Sequence, residues 1–132
     1  MSDHQNVKFV QNIYGLFMEG DIAGLLNQFA ENVEWETPGA PRVPYAGHFR
    51  GRAAVAKFFE LLGKTAEFAT FEPREFLAEG DRVVVLGHYA GTGRSTGRRF
   101  ETDWVMVFTI SGGKVTKFKE YFDTANLGEA FT

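Results

Sequence analysis

"FETDWVMVFTISGGKVTKFKEYFD", residues 100–123, sets two alternating runs on either side of a double glycine, and the way these runs pair decides the fold. Alternate side chains of a β-strand share a face, so Phe118, Glu120 and Phe122 point one way while Lys119, Tyr121 and Asp123 point the other. Gly112 and Gly113 suit a two-residue hairpin turn that sets Ser111 opposite Lys114. Counting outward puts Val107 opposite Phe118, Val105 opposite Glu120 and Asp103 opposite Phe122 on one face. Phe108, Met106 and Trp104 then oppose Lys117, Lys119 and Tyr121 on the other. This register turns Glu120 inward, and a bulge between Phe100 and Val105 would exchange the faces upstream of it.

Further from the hairpin, residues 66–93 read as two strands joined at "EGD" (79–81), and 99–110 and 114–123 as two more, an antiparallel meander. The first half is mainly helical. Residues 4–18 carry Phe9, Ile13, Leu16 and Phe17 at helical spacing. Gly20 stops this helix, and Asp21 caps a second one with Ile22, Leu25, Leu26 and Phe29, running to about Ala30. "NVEWET" (32–37) alternates as a short strand with Val33, Trp35 and Thr37 inward. "PGAPRVPYAGHFRG" (38–51) is a proline-stiffened loop, and Ala54, Val55, Phe58, Phe59 and Leu62 mark a third helix closed by Gly63. The order predicts one α+β domain over residues 1–132, with helices on one side of the sheet.

Composition narrows the function classes. Hydrophobic residues make up 44% of the chain and 14 residues are Phe, which fits a folded globular chain with a Phe-rich interior. No apolar run reaches the roughly 18 residues of a membrane span, and "MSDHQNVKF" lacks the order of a signal peptide, so a cytoplasmic location is expected. Without cysteine there is no disulfide, thiolate nucleophile or cysteine metal site. A formal net charge of -3 gives no reason to expect nucleic acid, and Arg94, Arg98 and Arg99 read as a solvated hairpin end.

Both faces of the last hairpin are largely apolar, more than a sheet with one wet side needs. Helices cover one; the other, with Trp104, Met106, Phe108 and Tyr121 among lysines, suits a subunit contact or stands as an amphipathic exposed face. A carboxylate among Phe118, Phe122, Val105 and Val107 loses hydration, and its pKa rises toward the range of proton transfer near neutral pH. The alternative is a Glu120 held by an arginine or backbone donors and doing no chemistry. Asp103 shares the face of Glu120 one pair along, where a second acid would raise one pKa further. Trp35 either walls a cavity or packs as a core aromatic. Tyr45 and His48 lie on the loop expected at a pocket mouth. His48 and His88 are 40 residues apart, which gives no metal-ligand spacing. Asp123 reads first as a cap or loop anchor.

Nearly end to end, the chain resembles the SnoaL-like polyketide cyclases and ketosteroid isomerases of the nuclear transport factor two superfamily. The residues that carry the resemblance are "EGDIAGLLNQFAENVEW" (19–35), "PG" (38–39), "GHFRGRAAVAKFF" (47–59), "EGDRVVVLG" (79–87) and "FETDWVMVFTISGGKVTKFKEYFDTA" (100–125). The resemblance implies a cone-shaped curved sheet, mixed or antiparallel, wrapped around the three helices of the first half, with a pocket between them and a homodimer contact on the outer sheet surface. It places the steroid-isomerase base at Thr37, the helix tyrosine at Ile13 and the buried acid at Val105, and this chain departs from all three. Tyr14 and Glu36 adjoin two of those positions, but one residue is about 100° round a helix or the opposite face of a strand. The last-strand acid of the polyketide cyclases falls at Glu120, and their assisting histidine near Met106, where there is none.

These readings converge on an acid/base enzyme of isomerase, cyclase or hydratase type, without cofactor or metal, acting on a small hydrophobic carbonyl compound. Glu120, Asp103 and His48 are the catalytic candidates; Trp35, Tyr45, Phe59, Val105, Phe118 and Phe122 are the ligand-binding ones. Expected partners are a small hydrophobic molecule and a second copy of the chain, with neither nucleic acid nor membrane. The alternatives are a ligand-binding protein without catalysis and a dimeric interaction domain.

Overall fold

Ser2 starts the first helix by accepting a hydrogen bond from the Gln5 amide, while the Gln5 side chain accepts one from the Ser2 amide. A computed structural model describes residues 2–132. Helix α1 (Asp3–Met18) buries Val10, Ile13 and Tyr14, and leaves Phe9, Leu16 and Phe17 half-buried, so the centre of its apolar stripe lies to one side of the expected one. Asp21 caps α2 (Ile22–Leu26), which is shorter than the sequence suggests because Phe29 already begins strand β1 (Phe29–Thr37). The loop expected over 38–51 contains a short strand, β2 (Gly47–Arg50), paired antiparallel with β1. Helix α3 (Arg52–Thr65) passes Gly63 and runs straight into β3 (Ala66–Glu79).

Strands β4 (Arg82–Gly93), β5 (Arg99–Ser111) and β6 (Lys114–Phe122) follow as the predicted meander. The six strands form one curved sheet in the order β2-β1-β6-β5-β4-β3, parallel only where β1 meets β6. The fold class is therefore the expected α+β arrangement. A fourth helix, α4 (Thr124–Phe131), was not legible as a helix, although Asp123 caps it by accepting from the Asn126 amide. Its Leu127 and Ala130 are buried, and Phe131 packs on Tyr45 and Phe100, so the helix closes one end of the hollow between sheet and helices. No helix among the described residues is long and apolar enough to cross a membrane.

The last hairpin corrects the expected register. Its turn is the expected one, with Ser111 opposite Lys114 and positive φ at Gly112 and Gly113. The pairing then slips by one, from Ile110 opposite Val115 to Thr109 opposite Lys117, and Thr116 is the extra residue of a bulge. Beyond it Phe108 opposes Phe118, Met106 opposes Glu120 and Trp104 opposes Phe122. The bulge thus lies in β6 beside the turn, not between Phe100 and Val105. Glu120 stays inward, and Trp104, Met106 and Phe108 join it there; Asp103, Val105 and Val107 turn outward.

Candidate functional site

Glu120 is 5% exposed and sits where three strands meet. On one side β5 brings Met106 opposite it; on the other the parallel register, Trp35 beside Phe118 and Glu36 beside Lys119, brings Thr37 abreast one residue later. From β4, Tyr89 directs its hydroxyl at Glu120 Oε2, 3.5 Å away. The Thr37 hydroxyl makes no hydrogen bond of ordinary geometry, yet lies close enough to favour the ionised carboxyl. Burial outweighs both influences and pushes the Glu120 carboxyl from 4.5 up to about 8. The same enclosure raises the tyrosine hydroxyls: burial first, then the Glu120 charge, lifts Tyr14, Tyr45 and Tyr89 above their usual range.

The carboxyl faces a cavity of about 60 Å³. Its walls are overwhelmingly aromatic, with Trp35 stacked on Phe118 at 3.7 Å between ring centres, and Phe58, Phe59, Phe71 and Phe108 around them. Among the described residues, no lysine, arginine or histidine lines it. The sequence leaves open whether Glu120 is held by an arginine or by backbone donors; among the described residues the side chains directed at its carboxyl are the hydroxyls of Tyr89, at 3.5 Å, and Thr37. Two residues of the cavity wall, Tyr45 and Trp35, carry a buried polar atom, the hydroxyl and Nε1, that has no hydrogen-bond partner among the described residues.

Of the sequence-derived candidates, Glu120, Trp35, Tyr45, Phe59 and Phe118 come together at this cavity. Phe122 keeps the inward face but lies past the cavity, half-buried and 6.5 Å from the Tyr89 ring. Asp103 does not join the site. The Thr116 bulge sends it outward, where its side chain is 87% exposed and bonds His88 Nδ1 at 2.8 Å; Glu101 holds Nε2 at the same distance. These two carboxylates, Asp103 first, raise the His88 pKa. Val105 moves to the outer face for the same reason. His48 is exposed on β2 opposite Glu36, because that residue alternates outward on a strand where a loop was expected. Glu36 also faces out and pairs with Lys119 at 3.2 Å. Among the described residues, no cluster of His, Asp and Glu is grouped to hold a metal ion.

Two further residues of the cavity wall, Tyr89 and Tyr14, are not among the candidates the sequence offers. Tyr89 continues the inward alternation of Val83 and Val85, a period-2 signal that could have found it. Tyr14 sits on the rotated stripe of α1, its ring 6.0 Å from that of Trp104 and its hydroxyl donating to Met106 Sδ at 3.0 Å.

Comparison with known proteins gives a consistent picture. The family model of the SnoaL-like domain matches residues 10–118. An NTF2-like protein from Burkholderia xenovorans LB400 superimposes with a TM-score of 0.92 and 41% identity, covering 100% of this chain and 99% of that one. An uncharacterized protein of Mycobacterium tuberculosis is 28% identical over 99% of this chain and 98% of its own length. The structure of TerC co-crystallized with polyporic acid matches with a TM-score of 0.83 and 29% identity, over 96% and 97% of the two chains.

Proposed function

This chain belongs to the SnoaL-like domain family, and from that premise we propose that it is an acid/base enzyme, working without a cofactor on a small hydrophobic carbonyl compound. The observation that carries the reading is a buried carboxyl group, Glu120, facing an aromatic cavity that contains no cationic side chain. As carboxylate it removes a proton from the carbon beside a carbonyl, and the C–H electron pair moves toward the oxygen to give an enolate. As carboxylic acid it then returns that proton to a different carbon, which completes an isomerisation. A pKa of about 8 serves both steps, because each protonation state is accessible near neutral pH. Trp35, Phe59 and Phe118 exclude water from the reacting atoms. The co-crystallization of TerC with polyporic acid supports a small-molecule role for a chain of this fold.

The test is α-proton exchange of a small ketone in deuterated water, followed by NMR. Wild-type protein should accelerate exchange, with the rate climbing as pH rises toward about 8 and levelling above it, since the carboxylate is the base. Glu120→Gln should lose about 10²–10⁴-fold of that rate, the usual contribution of a positioned base. Retained exchange in Glu120→Gln would rule the reading out. Ligand binding without exchange in either protein would support the carrier alternative, and the small cavity is the observation that favours an interaction domain.

The reading includes a homodimer formed through the outer sheet face, with a membership different from the sequence expectation. Leu86, Val105 and Tyr121 lie in one cross-strand row of that face, and Val84 and Val107 in the next, replacing Trp104, Met106 and Phe108.

A further inference from the structure

A buried hydroxyl group that bonds nothing is costly, since it loses its water without gaining a replacement partner. Tyr45 carries such a group. The residue is 2% exposed, lies on the segment between β1 and β2, and is fixed by edge-on contacts with Phe58 and Phe131. Its hydroxyl has no partner among the described residues, although its ring lines the cavity that Glu120 faces. Packing would be satisfied equally well by phenylalanine, a residue this chain uses freely. Neither packing nor a hydrogen bond among the described residues accounts for the hydroxyl, which lies close enough to Glu120 to feel its charge.

Resting on the Glu120 reading, we infer that the Tyr45 hydroxyl is the donor that fixes the ligand's oxygen in the cavity, and that the ligand is a neutral carbonyl compound of at most one ring. Three observations define that class. The second orphaned group carried by a wall residue, Trp35 Nε1, can only donate, so the complementary atom on the ligand is an acceptor. No lysine, arginine or histidine among the described residues lines the cavity, which disfavours carboxylate, phosphate or any other anion beside Glu120. A cavity of about 60 Å³ is well below the roughly 150 Å³ that holds benzene, so even one ring requires half-buried wall residues such as Phe17 and Phe59 to turn aside. Their rings lie 6.1 Å apart on α1 and α3.

The experiment compares wild type with Tyr45→Phe, using cyclohex-2-enone as probe, tryptophan fluorescence for affinity and thermal unfolding of the ligand-free protein. Tyr45→Phe should bind the enone about tenfold more weakly, the loss of one hydrogen bond. Its unfolding temperature should stay level or rise by about 3–6 °C, because an unsatisfied hydroxyl has been removed. A lower unfolding temperature would assign the hydroxyl a structural partner and overturn the inference, and unchanged affinity would overturn it equally. Glu120→Gln keeps the Tyr45 donor and should still bind. If Tyr45→Phe binds normally while Glu120→Gln has lost proton exchange, only the Tyr45 assignment fails; if wild type binds no ketone, both readings fall together.

Discussion

Glu120 makes the protein less stable than an apolar residue would at the same place, and the size of that penalty depends on pH. In the unfolded chain the carboxyl ionises near 4.5; in the folded one burial delays ionisation to about 8. Between those values the folded state binds a proton that the unfolded state has released, so stability falls as pH rises through the interval and is level on either side. At about 1.4 kcal/mol per pH unit, the loss has an upper bound of roughly 5 kcal/mol. Glu120→Gln carries no such proton. Urea unfolding at a series of pH values should show wild type falling progressively behind Glu120→Gln from about pH 5 to pH 8. A constant difference across that range would mean that the folded carboxyl ionises at its ordinary value. The donor from Tyr89 narrows the penalty without removing it, and a site that retains this cost fits a group kept for chemistry.

At the scale of elements, the sequence was legible wherever a periodicity is long and local. The two-glycine turn, the inward alternation of Val33, Trp35 and Thr37, and the cap at Asp21 all follow from side-chain chemistry within a few residues. The Thr116 bulge does not. Nothing in "KVTKFKEYF" marks Thr116 as unpaired, since threonine is an ordinary strand residue, and one uncounted residue reassigns every β5 side chain to the other face. Glu120 kept its place because it lies on β6 with Phe118, whose inward side is set by stacking on Trp35 across a different strand pair. Asp103 and Val105 were lost because their placement depended on the count alone. The corrected pairing sets Trp104 opposite Gly87, and its indole occupies the space a side chain at 87 would need. A Cβ there would overlap the indole and approach the Glu72 carbonyl to 2.6 Å, so Gly87→Ala should destabilise the fold by about 1–3 kcal/mol in urea unfolding. A change within about 0.5 kcal/mol, typical of a surface site, would be incompatible with Trp104 packing on this face.

The whole molecule has two apolar sheet faces with different fates. The inner one is closed by α1, α3 and α4 and holds the candidate site; among the described residues no helix crosses the middle of the outer one. There Val84, Leu86, Val105 and Val107 are half-buried, Tyr121 is 47% exposed, and charges border them, with Glu34 and Glu36 paired to Lys117 and Lys119 and His88 held by Asp103 and Glu101. An apolar centre within a polar rim is the anatomy of a protein interface. Val105 stands between Leu86 and Tyr121 across three strands, so a charge introduced there would be desolvated against the partner of the proposed homodimer. Light scattering after size exclusion should give wild type at twice the 14.8 kDa chain mass and Val105→Asp at the chain mass itself. The cavity lies on the opposite side of the sheet, so Val105→Asp should retain the proton exchange expected of Glu120, which separates assembly from chemistry. A wild-type protein that remains monomeric at high micromolar concentration would remove the homodimer and leave the inner site as the sole proposal for function.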